Sequence, residues 1–165
     1  MLGRRRSHAR PSPSSGTARA AALRALNRRD YSIAEITRYL VDRGYLEDEV
    51  HATVASLRSD GLVDDDRTGR AHARTSALVK GRGRHRIRRE LEARGLERAT
   101  IESAVSDLSP EQEHESLQRV IARSLRGHPL DQPAEHRLYQ RLLRRGFDSA
   151  DIRVALERAK AGADQ

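Results

Sequence analysis

The hydrophobic pattern of this chain repeats at a fixed spacing of 51 residues. Leu40, Leu91 and Leu142 are each followed by Arg-Gly at the third and fourth positions and by a large apolar residue at the fifth. Aliphatic residues recur in the same register, four positions before each leucine and ten and fourteen positions after it. An ungapped match at seven positions in three copies indicates an internal repeat.

Each copy of this repeated phrase predicts two helices joined by a glycine turn. In the first copy, Ile36 and Leu40 are four residues apart and share one helical face. Gly44 follows where a helix commonly ends in a left-handed residue, with an arginine beside it near the negative end of the helix dipole. Acidic or capping residues then begin a second helix, whose buried face holds Val50 and Val54.

A further helix precedes the phrase in each repeat. Ala20–Leu26 is a short amphipathic segment, Asp64–Asp66 suit the beginning of a helix, and Ser109 precedes a proline that is favourable in a first helical turn. Ser32 and Glu35 have the spacing of a capping box. The sequence therefore predicts nine helices in three groups of three.

We expect an all-α fold, a tandem repeat of three three-helix units that is elongated and curved and has no strands. Residues 1–17 hold four arginines, two prolines and no acid, so they are predicted to be a disordered basic tail. The predicted domains are this tail over residues 1–17 and three-helix repeats over residues 18–61, 62–108 and 109–160.

The composition suits this architecture. Charged residues make up 34% of the chain and aromatic residues 3%, so small stacked units with a thin apolar seam are favoured over one large core. The absence of cysteine excludes disulfides, thiol catalysis and cysteine-bound zinc. We see no apolar run near the ~20 residues of a membrane span and no apolar segment typical of a secretory signal. A cytoplasmic protein without membrane partners is expected.

The positive charge is concentrated, and its location is the best functional clue in the composition. The net charge is +8, and residues 80–89, here called the basic run, hold six cations and no acid. A solvated face explains many charged runs, but six like charges this close repel one another, which favours a polyanionic or acidic partner. The predicted partner-binding residues are Arg67, Arg70, Arg74, Lys80, Arg82, Arg84, Arg86, Arg88, Arg89, Arg141 and Arg144.

No combination of residues suited to catalysis is visible. The seven histidines are scattered, with no pair four residues apart on one helical face, so we expect no metal site. Gly81-Arg82-Gly83 lacks the remaining spacing and the Lys-Ser/Thr of a phosphate-binding loop. A nucleophile, a base and an orienting group cannot be assembled, so we expect neither an enzyme nor a cofactor.

Several segments of the chain resemble the RecX family, in the same order. They are Gly61-Leu62-Val63-Asp64-Asp65-Asp66-Arg67, Arg70-Ala71, Gly81-Arg82-Gly83, Arg86-Ile87-Arg88-Arg89-Glu90-Leu91 and Arg94-Gly95-Leu96. The resemblance covers residues 20–160 and is most specific in the middle repeat. Where the family usually has aromatic residues, this chain has Thr68-Gly69 and His72, so we expect a looser helix there.

The resemblance implies a cytoplasmic bacterial regulator of the recombinase RecA, built from tandem three-helix units. Proteins similar to it bind along the groove of the RecA filament on single-stranded DNA. They inhibit its ATPase and strand exchange and limit filament growth, in the regulation of DNA repair and the SOS response. We therefore expect a monomer that binds the RecA nucleoprotein filament, with weaker contacts to single-stranded DNA.

Two other functions are consistent with the helical pattern. The pattern of two helices joined by a glycine turn is also typical of a helix-turn-helix transcription regulator, which binds duplex DNA. A recognition helix presents its N-terminal turn to the groove, and here those turns carry acids such as Glu47, Asp48 and Asp151, which would face phosphate. A purely structural adaptor is the third alternative.

Overall fold

The computed structural model describes residues 16–125 and 131–161. Over these two ranges the chain forms nine α-helices and no strand, which confirms the predicted all-α repeat fold. The helices are α1 (Ala18–Leu26), α2 (Ile33–Val41), α3 (Glu47–Ser59), α4 (Asp65–Leu78), α5 (Arg84–Ala93), α6 (Arg98–Ser106), α7 (Pro110–Leu125), α8 (Gln132–Arg144) and α9 (Ser149–Ala161). The predicted tail lies outside the described residues apart from Gly16 and Thr17, and Thr17 caps α1.

The chain forms two compact units, and the first of them, residues 1–64, contains α1, α2 and α3. Its core includes the residues that the repeated phrase predicts to be buried, namely Ile36, Leu40, Val50 and Val54. The predicted capping box is present at the beginning of α2. The Glu35 N–H donates to the Ser32 hydroxyl at 3.1 Å, and the Ser32 N–H donates to the Glu35 carboxylate at 2.9 Å.

The second unit, residues 65–165, contains α4 to α9 and two apolar clusters. One cluster is built from α4, α5 and α6 and includes Ile87, Leu91, Ile101 and Val105. The other is built from α7, α8 and α9 and includes Leu138, Leu142, Ile152 and Leu156. These are the remaining positions of the repeated phrase, so the hydrophobic spacing alone predicted the centre of each cluster.

The three repeated glycines end α2, α5 and α8 in the left-handed conformation that the sequence predicts. Gly44, Gly95 and Gly146 have φ angles of 84°, 80° and 86°. In the first turn, the Gly44 N–H donates to the Val41 carbonyl at 2.9 Å and the following Tyr45 N–H donates to the Leu40 carbonyl at 3.4 Å. This pair of bonds defines a Schellman ending, and it satisfies carbonyls that the end of a helix leaves without partners.

Two glycines allow the beginning of α5 to contact the end of α8 directly. The N–H groups of Gly83 and His85 donate to the carbonyls of Arg145 and Gly146, at 2.9 and 3.1 Å. A Cβ on Gly83 would overlap the Gly146 backbone, and a Cβ on Gly146 would overlap the backbone of Arg86. The free N–H groups at the beginning of α5 thus bond to the free carbonyls at the end of α8. A residue larger than glycine at position 83 or 146 would prevent this close approach.

The structure corrects the expectation of a loose helix at Thr68 and Gly69. Helix α4 is continuous, and both residues are buried. A Cβ on Gly69 would lie 3.0 Å from Leu96 Cδ2 and 3.5 Å from Ala104 Cβ. The missing side chain therefore lets α4 and α6 pack closely.

Alanine substitutions at three glycines separate backbone strain from steric overlap. Gly61 has a φ of 68° and open space around it, so Gly61→Ala should cost only the left-handed strain, about 1 kcal/mol. Gly83 has an ordinary φ of −81°, so Gly83→Ala should cost about 1–3 kcal/mol from overlap alone. Gly146→Ala combines both effects and should be the most destabilising.

Thermal unfolding followed by circular dichroism measures these differences, since 1 kcal/mol corresponds to roughly 4–8 °C in a unit of this size. Gly146→Ala should lower the midpoint of the second unit further than Gly83→Ala, whereas Gly61→Ala acts on the first unit. A Gly83→Ala protein as stable as the wild type would contradict the backbone contact between α5 and α8.

Candidate functional site

The arginines of the basic run lie around the beginning of α5, in the second unit. The basic run contains no acid, but glutamates from outside it pair with four of its arginines. Arg82 and Arg86 both contact Glu90, and Arg86 Nε lies 2.9 Å from its carboxylate. Two nitrogens of Arg88 lie 3.0 and 3.1 Å from the two carboxylate oxygens of Glu102. The repulsion expected within the run is therefore largely offset by intramolecular ion pairs.

Arg84 is the fourth paired arginine, and it joins α5 to the segment around the beginning of α7. Its backbone N–H donates to one carboxylate oxygen of Glu113 at 3.2 Å, and its guanidinium contacts the other oxygen and the Leu108 carbonyl. The side chains of Arg84 and Glu113 are 26% and 17% exposed, so water screens this pair less than a surface pair. The Glu113 carboxylate also lies at the N-terminus of α5, where the helix dipole favours negative charge.

Glu90 is the centre of a polar cluster between α4 and α5. Besides Arg82 and Arg86, it accepts hydrogen bonds from the His72 ring at 3.1 Å and from the Ser76 hydroxyl at 3.2 Å. Because a carboxylate can only accept, His72 Nε2 carries a proton in this contact. Burial opposes the ionisation of Glu90, but hydrogen bonds from Arg82, Arg86 and His72 outweigh it and lower the pKa of Glu90 to about 2. Burial lowers the pKa of His72, which favours the neutral ring at pH 7.

The other predicted residues are more exposed. Arg70 Nε lies 3.1 Å from the Asp107 carboxylate, but both side chains are more than half exposed, so this pair contributes little to stability. Arg67 is exposed on α4. The remaining predicted cations form no ion pair with any described residue, and they are Arg74, Lys80, Arg89, Arg141 and Arg144.

Lys80 and Arg141 line a cleft of about 520 Å³ together with two arginines that are not among the predicted partner-binding residues, Arg123 and Arg145. We call it the basic cleft. It lies between the loop that joins α4 to α5, helix α7 and the end of α8. Arg145 Nη1 donates to the carbonyls of Lys80 and Gly81 at 2.9 and 3.1 Å, which fixes its guanidinium in place. Among the described residues, those that line the cleft include four cations and no acid.

Sequence signals for the two missed arginines exist, but they are weak. Arg123 lies four residues after Arg119 on the predicted seventh helix, a spacing that places both on one face. Arg145 belongs to the repeated Arg-Gly pair and to a basic cluster with Arg141 and Arg144, but only the last two were predicted to bind a partner. Its contact with Gly81 joins residues 64 positions apart in sequence, and no local pattern predicts such a contact.

Residues 16–125 and 131–161 contain no group of three or more histidine, aspartate or glutamate side chains placed to hold a metal ion. None of their helices is long and apolar enough to cross a membrane.

Comparison with known families matches the chain twice. Residues 18–57 match the model for RecX, first three-helix domain, and residues 64–105 match the model for RecX, second three-helix domain. The regulatory protein RecX of Chromohalobacter salexigens is 33% identical over 144 residues, which cover 87% of this chain and 93% of that protein. The regulatory protein RecX of Mycolicibacterium vanbaalenii is 31% identical over 139 residues, which cover 79% of this chain and 76% of that protein.

The fold is also shared with a solved structure. The crystal structure of RecX from Lactobacillus salivarius matches with a TM-score of 0.77 at 18% identity, over 87% of this chain and 95% of that chain. The all-α architecture and the matched domains define the class of protein, which is a regulatory protein built from three-helix repeats. The chain belongs to the RecX family, which confirms the resemblance carried by its middle repeat.

Glu90→Gln tests the polar cluster through the pH dependence of stability. The pKa of Glu90 falls from 4.5 to about 2 on folding, so its stabilising effect is complete above pH 4.5 and is lost as the pH falls toward 2. We expect Glu90→Gln to lower the free energy of unfolding at pH 7 by about 1–3 kcal/mol, because Arg82 and Arg86 lose a charged partner. The variant should also lose part of the wild-type pH dependence in this window.

Chemical denaturation at a series of pH values makes this comparison. Glu92→Gln is the matched control, because Glu92 is exposed on the same helix, and it should retain the wild-type profile. Identical profiles for the wild type and Glu90→Gln would show that the cluster does not hold this carboxylate ionised.

Proposed function

We propose that this protein regulates the recombinase RecA by binding the RecA filament on single-stranded DNA. The observation that supports this most strongly is membership of the RecX family, with matches to two three-helix domains and relatives named as regulatory proteins. The protein inhibits the RecA ATPase, strand exchange and filament growth, and so takes part in regulating DNA repair and the SOS response. It acts in the cytoplasm, by binding and not by catalysis.

The exposed cations of the second unit supply the surface for this contact. The five predicted residues without an ion pair are directly available to a partner, and Arg86 remains 43% exposed despite its contact with Glu90. A filament that presents acidic side chains or DNA phosphates complements such a surface, and charge of this kind accelerates association and sets specificity.

The paired arginines are poor sites for testing the contact. Reversing the charge of Arg82 or Arg84 would also break its contact with Glu90 or Glu113. Lost inhibition in such a variant would not distinguish a lost partner contact from a disturbed fold. Exposed arginines without an ion pair avoid this difficulty.

ATP hydrolysis by RecA from the same organism, measured on single-stranded DNA while this protein is added, tests the proposed regulation. The wild-type protein should inhibit at well below one copy per RecA protomer. Arg74→Glu combined with Arg89→Glu should raise the half-inhibitory concentration by about tenfold or more, because two attractive charges become repulsive.

Arg98→Glu combined with Arg153→Glu is the matched control. Both arginines are exposed and lie outside the predicted surface, and the change in net charge is the same. Equal inhibition by the two double variants would contradict the assigned surface. If the wild type left RecA unaffected but protected a specific site on duplex DNA, the helix-turn-helix regulator would be the better explanation.

A further inference from the structure

A second cleft lies in the first unit, at the glycine turn between α2 and α3. Its volume is about 410 Å³, and Val41, Leu46 and Val50 contribute apolar side chains to its lining. Val41 and Leu46 are 52% and 64% exposed. The described residues that line it include Glu47 and no lysine or arginine, in contrast to the basic cleft. We call it the apolar groove.

The exposed leucine of the groove stands where the other two repeats have an acid. Leu46 corresponds to Glu97 and Asp148 in the 51-residue spacing. Asp148 accepts a hydrogen bond from the Ala150 N–H at 2.7 Å, whereas Leu46 precedes α3 and makes no side-chain hydrogen bond to cap it. The first repeat thus gives up a favourable helix cap and exposes an apolar side chain instead. A departure from local preference of this kind is typical of a functional surface.

Helix α3 begins beside the groove with three exposed acids, Glu47, Asp48 and Glu49. They form no ion pair with any described residue. Like charges within one helical turn repel one another, and a cationic partner would relieve that repulsion. The groove and the acids together therefore fit a segment that combines an apolar side chain with several cations.

Residues 1–15, which lie outside the described ranges, have that composition. They contain no acid, and their apolar and cationic residues include Leu2, Arg4, Arg5, Arg6 and Arg10. The chain also enters the first unit beside the groove. Tyr45, which lines the groove, donates through its hydroxyl to the Gly16 carbonyl at 3.1 Å. The Ala18 N–H donates to the Glu49 carboxylate at 3.1 Å.

We propose that the apolar groove and the three acids of α3 bind residues 1–15 of the same chain. Leu2 occupies the groove, and the four arginines face the acids. Fifteen residues span at most about 50 Å, which allows the segment to return from Gly16 to a groove in the same unit. A tethered segment acts at an effective concentration of about 1 mM or more, so a weak contact is enough. The inference does not depend on the proposed regulation of RecA.

A spin label on the segment tests this contact in the full chain. The chain contains no cysteine, so Ser7→Cys provides a single attachment site for a nitroxide. In isotope-labelled protein, the nitroxide should broaden the amide resonances of Leu46 and Val50. Higher salt should reduce the broadening, because salt screens exposed charge pairs. A tether alone also brings the label toward the first unit, so variants are needed to identify a site.

The first variant changes only the segment. Arg4→Gln combined with Arg5→Gln and Arg6→Gln removes three cations and leaves every described contact of the first unit in place. It should lose most of the broadening at the groove. Broadening equal to that of the protein with all its arginines would show a tethered segment without a site, and would overturn the proposal.

The second variant changes the groove side of the contact. Glu47→Gln combined with Asp48→Asn should also lose most of the broadening. Glu92→Gln combined with Glu97→Gln is the matched control, because both are exposed acids of the second unit and the change in charge is the same. Circular dichroism checks that each variant retains its helix content. Equal loss of broadening in the two double variants would contradict the assigned site.

A second copy of the chain is the other source of the same segment. Mixing spin-labelled chains that lack the isotope with isotope-labelled chains that lack the spin label separates the two sources. We expect no broadening at the groove in this mixture. Broadening there would show that the groove binds the segment of another copy, and would overturn the contact within one chain. Because these measurements contain no RecA, they fail or succeed separately from the proposed function.

Discussion

The contact between the beginning of α5 and the end of α8 is the constraint on which the second unit depends. Helix ends leave N–H and C=O groups without partners, and here the free donors of one helix meet the free acceptors of another. The match requires glycine on both sides, at Gly83 and Gly146. Once these backbones touch, Arg145 reaches the carbonyls of the preceding loop. The basic cleft is therefore a consequence of a backbone contact as much as of its charged residues.

The cations of this unit fall into two groups, those that form ion pairs with glutamates and those that do not. Glu90, Glu102 and Glu113 pair with four arginines of the basic run and bind α5 to its neighbours. The cations without such partners are Lys80 and Arg89 of the run itself and others on exposed positions of α4, α7 and α8. Four arginines of the dense basic segment are thus held in ion pairs with glutamates, while the cations without an ion pair remain exposed.

The sequence predicted local features well and long-range ones poorly. The 51-residue spacing identified the buried leucines and the three glycine turns, because both follow from helical geometry within one repeat. The capping box at Ser32 was predicted for the same reason. By contrast, the contact of Arg84 with Glu113 spans 29 positions and that of Arg145 with Lys80 spans 65. Gly69 suggested a weak helix, because the local pattern does not show its packing partners, Leu96 just before α6 and Ala104 on α6.

The glycine contact between α5 and α8 also bears on the entropy of binding. It joins the two three-helix groups of the second unit backbone to backbone, so the loop that carries Lys80 and the helices that carry Arg123 and Arg141 hold their spacing before any partner arrives. A partner then needs to immobilise only side chains, and the loss of conformational freedom on association is correspondingly small. Because their spacing is already fixed, a few separate charges can contact one partner at the same time, although each contact alone contributes little binding free energy.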